Sequence, residues 1–218
     1  MRSFRCLAVL FDLDGVLVDS RAVIERHWAR WARGRELDLA GVLALAHGRR
    51  TVETIRLVAP HLDADREAAD LAAAEGPDTD GLIVMEGARE LVAALPPRAW
   101  AVVTSGTRPT ADTRLRHAGL PPPVVLVTAD DVRRGKPDPE GYATAAARLG
   151  IGASDCVVVE DAPAGLAAAR AAGMRAIGLT SQSPPAELAD ADVVIRSLRE
   201  LRVASGRDRR PIVLHAGP

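Results

Sequence analysis

Aromatic side chains make up only 3% of this 218-residue chain, the net charge is -1, cysteines number two, and lysine occurs once. Each scarcity excludes something. With so few rings there is little to build stacking platforms for bases, and with no basic excess there is no electrostatic footprint for a phosphate backbone, so no nucleic-acid partner is expected. Cys6 and Cys156 both fall in runs that read as buried strands, where a free thiol behaves as a small hydrophobe; neither a disulfide nor a thiolate metal site is expected. The apolar run Leu7 to Phe11 is too short to span a bilayer and ends in acids instead of a small-residue cleavage site. A cytoplasmic protein without a membrane partner is the expectation. The lone lysine is Lys136, within Arg134-Gly135-Lys136-Pro137-Asp138-Pro139. A chain that writes arginine almost everywhere else either carries one stray lysine by chance or keeps a compact ammonium where a planar guanidinium will not serve.

What the chain does have is alternation. From about residue 83 onward, strands at 99–104, 124–127, 156–160, 175–179 and 192–195 alternate with helical stretches at 87–95, 109–118, 139–149 and 163–172. That order predicts βαβ units and a parallel sheet covered on both faces. Between the first strand and residue 83 the texture changes to helices at 20–32, 40–46, 51–58 and 64–75, with no convincing strand. The expected fold is therefore α/β: a Rossmann-like parallel sheet core, residues 1–18 and 83–203, interrupted by an all-helical insertion, residues 19–82. A tail, 204–218, is either frayed or an added edge strand.

Four strand ends carry chemistry in sequence order. The first run stops at Asp12-Leu13-Asp14-Gly15. Two carboxylates so close at the end of a buried strand raise each other's pKa unless a cation compensates them, and the carboxyl ends of such strands form the ligand crevice. The second strand ends in Thr104-Ser105-Gly106, hydroxyls and an amide able to grip a phosphoryl group. The third segment is the Lys136 loop. The fourth, Val157-Val158-Val159-Glu160-Asp161, adds two acids ahead of a helix. Taken singly each has a bland reading, as a turn, a solvated charge or a helix N-cap; the ordered set of four is much harder to obtain by accident.

With these four segments the chain resembles the haloacid dehalogenase-like hydrolase superfamily, and the wording between them is most similar to its sugar phosphatases, the hexitol, 2-deoxyglucose-6-phosphate and glycerol-phosphate phosphatase group. The resemblance runs to about residue 200 and includes His47-Gly48-Arg49-Arg50-Thr51. It implies that the helical insertion is a cap. It further implies Asp12 as nucleophile, Asp14 as general acid and base, and Mg²⁺ held by Asp12, the carbonyl of Asp14 and Asp161, with Glu160 close by or bound through water. Thr104, Ser105, Gly106 and Lys136 would hold the phosphoryl oxygens, with the choice of Thr104 or Ser105 as principal hydroxyl open. His47 and Arg50 are the expected cap contacts to the substrate; Arg49 reads as a solvated helix-end charge. A small-molecule phosphomonoester is the expected partner, and a monomer the expected state.

Alternatives differ at single residues. Haloacid dehalogenases generally lack a counterpart of Asp14, and phosphonate hydrolases need a cap lysine, absent here. β-Phosphoglucomutases place a histidine where this chain has Ile24, with His27 one helical turn later. A receiver-type phospho-accepting domain, or a non-catalytic binder of similar fold, would be shorter or would have little use for all four motifs. A nucleotide-binding Rossmann enzyme would need a Gly-x-Gly-x-x-Gly after the first strand.

Overall fold

The computed structural model describes residues 2–204 and 212–217. Arg207, Asp208, Arg209 and Arg210 of the expected tail lie outside the described residues. Chain order begins with β1 (Arg2–Cys6), β2 (Ala8–Phe11) and β3 (Val18–Asp19), followed by α1 (Arg21–Arg33), α2 (Leu39–Ala46), α3 (Thr51–Val58) and α4 (Ala64–Glu75). It continues with β4 (Ile83–Val84), α5 (Ala88–Ala94), β5 (Trp100–Val103), α6 (Arg108–His117), β6 (Leu126–Val127), α7 (Glu140–Leu149), β7 (Cys156–Glu160) and α8 (Pro163–Ala171). β8 (Arg175–Leu179), β9 (Val193–Ile195), β10 (Leu201–Ala204) and β11 (Ile212–Ala216) complete it.

Six strands form one parallel sheet in the order β6-β5-β2-β7-β8-β9. The expected α/β core with a helical insertion is the architecture observed. Every residue of β2, β5 and β7 is buried, as continuous apolar runs in a sheet covered on both faces should be. Alternation sorts them: Val9, Phe11, Val102, Val157 and Val159 pack on the side of α5 and α6, while Ala8, Leu10, Ala101, Val103 and Val158 pack on the side of α7 and α8. The chain moves outward from β2 through β5 to β6 and then crosses to β7 on the other side of β2. That reversal opens a crevice at the carboxyl end of β2, where Asp12 stands.

Helices α1 to α4 enclose their own apolar core of Trp28, Trp31, Val42, Ile55, Ala59 and Leu71. The chain leaves the sheet through β3 and returns through β4, which pair antiparallel with Val18 opposite Val84 and Asp19 opposite Ile83. No helix among the described residues is long and apolar enough to cross a membrane.

The tail takes a form the sequence did not suggest. Ile212–Ala216 is neither frayed nor an added edge: it is the middle strand of a separate antiparallel sheet, β1-β11-β10, that covers the α5 and α6 face with Phe4, Cys6, Ile212 and Leu214. The apolar positions of β11 alternate, so the strand buries one face only.

Candidate active site

Asp12 follows the last residue of β2 and is buried. Its Oδ1 accepts a hydrogen bond from Lys136 Nζ at 2.8 Å, and the same ammonium donates to Glu160 Oε1 at 2.5 Å. Burial works against the lysine's charge, but Asp12 and Glu160 together raise its pKa above the ordinary value. The ammonium therefore stays charged. Burial is also the main reason that the Asp12 carboxyl is pushed well up; Lys136 pulls it back, and Glu160, Asp161 and Asp14 push it further. An extra cation would be favourable beside it.

Glu160 sits at the end of β7 with its acceptor capacity filled. Oε1 takes Lys136 and the Tyr142 hydroxyl at 2.7 Å, and Oε2 takes the amides of Asp161 at 3.0 Å and Ala162 at 3.1 Å. A carboxylate offers about four lone-pair sites, and four donors use them. The geometry thus gives Glu160 a task besides the place near the metal expected of it: it anchors Lys136. Gly165 faces it from α8, where a Cβ would stand 1.7 Å from Oε1. Only glycine fits against this carboxylate.

Asp161 shows the opposite state. Its Oδ2 accepts from Ser181 Oγ at 3.1 Å, whereas its buried Oδ1 has no hydrogen-bond partner. An orphaned carboxylate oxygen in a buried site is costly unless a cation takes it. Ligand atoms of Asp12, Glu160 and Asp161 lie within 4.8 Å of one another, so the cluster can hold a divalent cation. His47 Nε2 lies 3.5 Å from Asp161 Oδ2.

Asp14 turns away from that cluster. Its Oδ1 accepts from Ser20 Oγ at 2.6 Å and its Oδ2 from Arg114 Nη1 at 2.7 Å, with the Thr104 hydroxyl at 3.4 Å. Arg114, buried on α6, also donates to Glu75 at the end of α4 and so ties the acid to the helical insertion. Gly106 N donates to Thr104 Oγ1 at 3.0 Å, while Ser105 Oγ donates to the Gly48 carbonyl of the insertion at 2.9 Å.

A cavity of about 310 Å³ opens above these groups. Its walls include Asp12, Asp14, Thr104, Ser105 and Gly106 below, and Ile24, Trp28, His47 and Arg49 above. Arg50 is not among its lining residues. The guanidinium instead donates to the carbonyls of Val132 and Arg133 and pairs with Glu53, so the structure places Arg50 elsewhere than the expected substrate contact, and puts Arg49 in the cavity wall.

The haloacid dehalogenase-like hydrolase family model matches residues 6–173. The chain belongs to that family. It is 41% identical over 208 residues to hexitol phosphatase A of Escherichia coli, covering 91% of this chain and 94% of that protein. Glycerol-1-phosphate phosphohydrolase 2 of Saccharomyces cerevisiae is 35% identical over 216 residues, covering 92% of this chain and 86% of the relative. Among solved structures, a hydrolase from Pseudomonas syringae matches with a TM-score of 0.80 at 28% identity over 88% of this chain and 94% of its own.

Sequence reasoning missed Tyr142, Arg114, Glu75 and Glu53 as members of this haloacid dehalogenase-like site. For Tyr142 a signal existed: it is the only tyrosine in the chain, six residues after the only lysine. Arg114 gave none, since an arginine on a helix reads as a solvated charge.

Proposed function

We propose that this haloacid dehalogenase-like phosphatase hydrolyses phosphomonoesters of small sugars and polyols through a phosphorylated Asp12. The observation that carries the reading is the buried arrangement of Asp12 with Lys136 and Asp161, in which Asp12 itself faces a cavity that Asp14 also lines. Asp12 attacks phosphorus, forming the acyl-phosphate bond as the ester P–O bond breaks, and Asp14 gives its proton to the departing alkoxide. Asp14 then takes a proton from a water that attacks the same phosphorus, which releases inorganic phosphate and restores the Asp12 carboxylate. Lys136 would face the oxygens on which transition-state charge is spread, while the Gly106 amide holds the Thr104 hydroxyl. Thr104 is the preferred hydroxyl for this task, because Ser105 already bonds the Gly48 carbonyl.

The residues fit a hard dication. Asp12 and Asp161 would hold it with the Asp14 carbonyl, and Mg²⁺ suits so few carboxylates. When bound it supplies positive charge to the transferring phosphoryl group. The cavity, about 310 Å³, has the size of a small-ligand site, and its mixed wall of Trp28, Ile24, Arg49 and Glu25 suits a polyol with apolar faces and hydroxyl edges. Transfer back to sugar is disfavoured: Ile24 stands in the wall, while His27 is turned to Asp78 at 2.9 Å.

The test is turnover of hexitol, hexose, pentose and glycerol phosphates by purified protein with Mg²⁺ and with excess chelator. Release of phosphate that chelation abolishes is expected. Full activity in chelator would overturn the metal assignment, and catalytic conversion of β-glucose 1-phosphate to glucose 6-phosphate would replace hydrolysis by a mutase.

A further inference from the structure

Arg50 lies at the N-terminal boundary of α3 with only 8% of its surface exposed, yet it faces no substrate cavity of useful size. A guanidinium so buried must have acceptors. It donates through Nη1 to the Val132 carbonyl at 2.9 Å and through Nη2 to the Arg133 carbonyl at 2.6 Å and to Glu53 Oε1 at 2.5 Å. Glu53, one helical turn on, accepts from the Gly135 amide at 2.8 Å. Gly135 is the residue before Lys136. A Cβ at Gly135 would stand 2.5 Å from Glu53 Oε2 and 2.7 Å from Arg50 Cγ, so the backbone approaches the pair as closely as glycine allows.

We infer that Arg50 and Glu53 are positioning residues for Lys136, fastening the helical insertion to the very loop that presents the ammonium to Asp12. The inference rests on the phosphatase reading above and gives Arg50, for which substrate contact was the expectation, a different task shared with Glu53. Four bonds from two side chains reach the backbone of residues 132–135 or link the pair itself. From the core side, the same stretch is held through Glu140, which accepts from the amides of Arg133 at 3.1 Å and Arg134 at 2.9 Å. Glu140 fixes the start of the loop. The pair fixes its approach to Lys136.

The charges are suited to the task. Burial opposes ionisation of Glu53, but Arg50 and the Gly135 amide hold its carboxyl below the usual range. Glu53 also lies in the first turn of α3, where a negative side chain is favoured by the helix dipole. Displacement of a catalytic group by about 1 Å costs on the order of a hundredfold in rate. A lysine reaching between two carboxylates has little tolerance for a loop that drifts. The bonds exist only while the insertion rests on the sheet, so Lys136 is fully placed only when the cavity has its roof.

The test uses two readouts. Steady-state kinetics of Arg50→Ala, Glu53→Ala and Glu53→Gln are measured on p-nitrophenyl phosphate, glycerol phosphate and hexitol phosphates, with hydrogen exchange followed over residues 132–138. A positioning role predicts a kcat loss of about ten- to a hundredfold, by the same factor on every substrate, with KM ratios retained. Exchange at 132–138 should quicken, and Glu53→Gln, which keeps an acceptor for the Gly135 amide, should recover part of both. Loss confined to polyol phosphates with aryl phosphate spared would overturn the inference and return Arg50 to the substrate. Unchanged exchange at 132–138 in Glu53→Ala would overturn it as well. If the wild type releases no phosphate, the functional reading fails, and the exchange measurement still decides whether the pair holds the loop. Should Arg50→Ala prove unfolded, Glu53→Gln supplies the same comparison.

Discussion

The floor and the roof of the cavity are built on different terms. Below, Lys136 and Glu160 are buried behind Asp12; Lys136 donates to both Asp12 and Glu160, and Glu160 alone receives four donors. Above, Arg49 and Glu25 line the cavity without a side-chain hydrogen bond among the described residues, and Trp28 contributes a ring that packs edge-on against Trp31. A bonded, buried array is stiff and holds charge where a transition state needs it; unbonded wall side chains such as Arg49 and Glu25 can be exchanged at little cost. On the function proposed above, chemistry would belong to the first and selection among alcohols to the second.

Breaking the floor at its centre should have the largest effect. Asp12→Asn removes the nucleophile while its Lys136 neighbour keeps Glu160, so activity should fall by at least about 10⁴-fold with the circular dichroism spectrum intact. A residual rate within tenfold of wild type would mean that another group attacks phosphorus. Lys136→Arg follows, with an expected kcat loss of about 10²- to 10³-fold, because a guanidinium is too wide for the gap between Asp12 and Glu160. Lys136→Met should in addition cost about 3–5 kcal/mol in urea unfolding, since two buried carboxylates lose their counter-charge. Near wild-type kcat in Lys136→Arg would make the solitary lysine a codon accident.

The roof should respond differently. Arg49→Ala and Glu25→Ala should reorder kcat/KM among glycerol, pentose and hexitol phosphates by roughly tenfold while p-nitrophenyl phosphate changes little. An equal loss on all substrates would erase the division between floor and roof. The smallest effect concerns the thiols, which belong to neither. Burial pushes Cys6 up to about 12 and Cys156 up to about 11, so native protein at pH 8 should not react with a thiol reagent until it is unfolded. The sign for stability follows from proton counts. Above about pH 9 the unfolded thiols ionise while the native ones keep their protons, so stability should decline as pH rises from 9 toward 12; a flat profile of urea midpoints there would contradict it.

Much of the floor could be read from residue order. The apolar runs that end in Asp12, Thr104 and Glu160 are strands buried on both faces, and Lys136 stood out by composition alone. The helices of the insertion announced themselves by period: Thr51 to Val58 and Ala64 to Glu75 form the helices expected. The tail did not. Three of the five residues of β1 are arginine or serine, and it pairs with a strand at the opposite end of the chain, Phe4 with Leu214, so no local signal links them. The partners of Arg50 were equally hidden, because two of them are backbone carbonyls that every residue possesses. Motif position pointed Arg50 at the substrate; only geometry turns it toward the loop. That Glu160 anchors Lys136 was hidden too, because its four donors come from three separate places: α7, the Lys136 loop and its own turn.

The two-residue pairing of β3 with β4 has a bearing on descent. Because the chain leaves and re-enters at neighbouring points, everything between can be lengthened, shortened or replaced while the sheet closes over the same seam, and loop-closure entropy rises only with the logarithm of what is inserted. The helical roof brings its own apolar core and so arrives as a finished part. A lineage can thus inherit one phosphate-cleaving engine and graft onto it successive chambers for new alcohols. The graft has one requirement: whatever is transplanted must again offer an acceptor to the Gly135 amide, or the engine receives its new substrate with its lysine adrift.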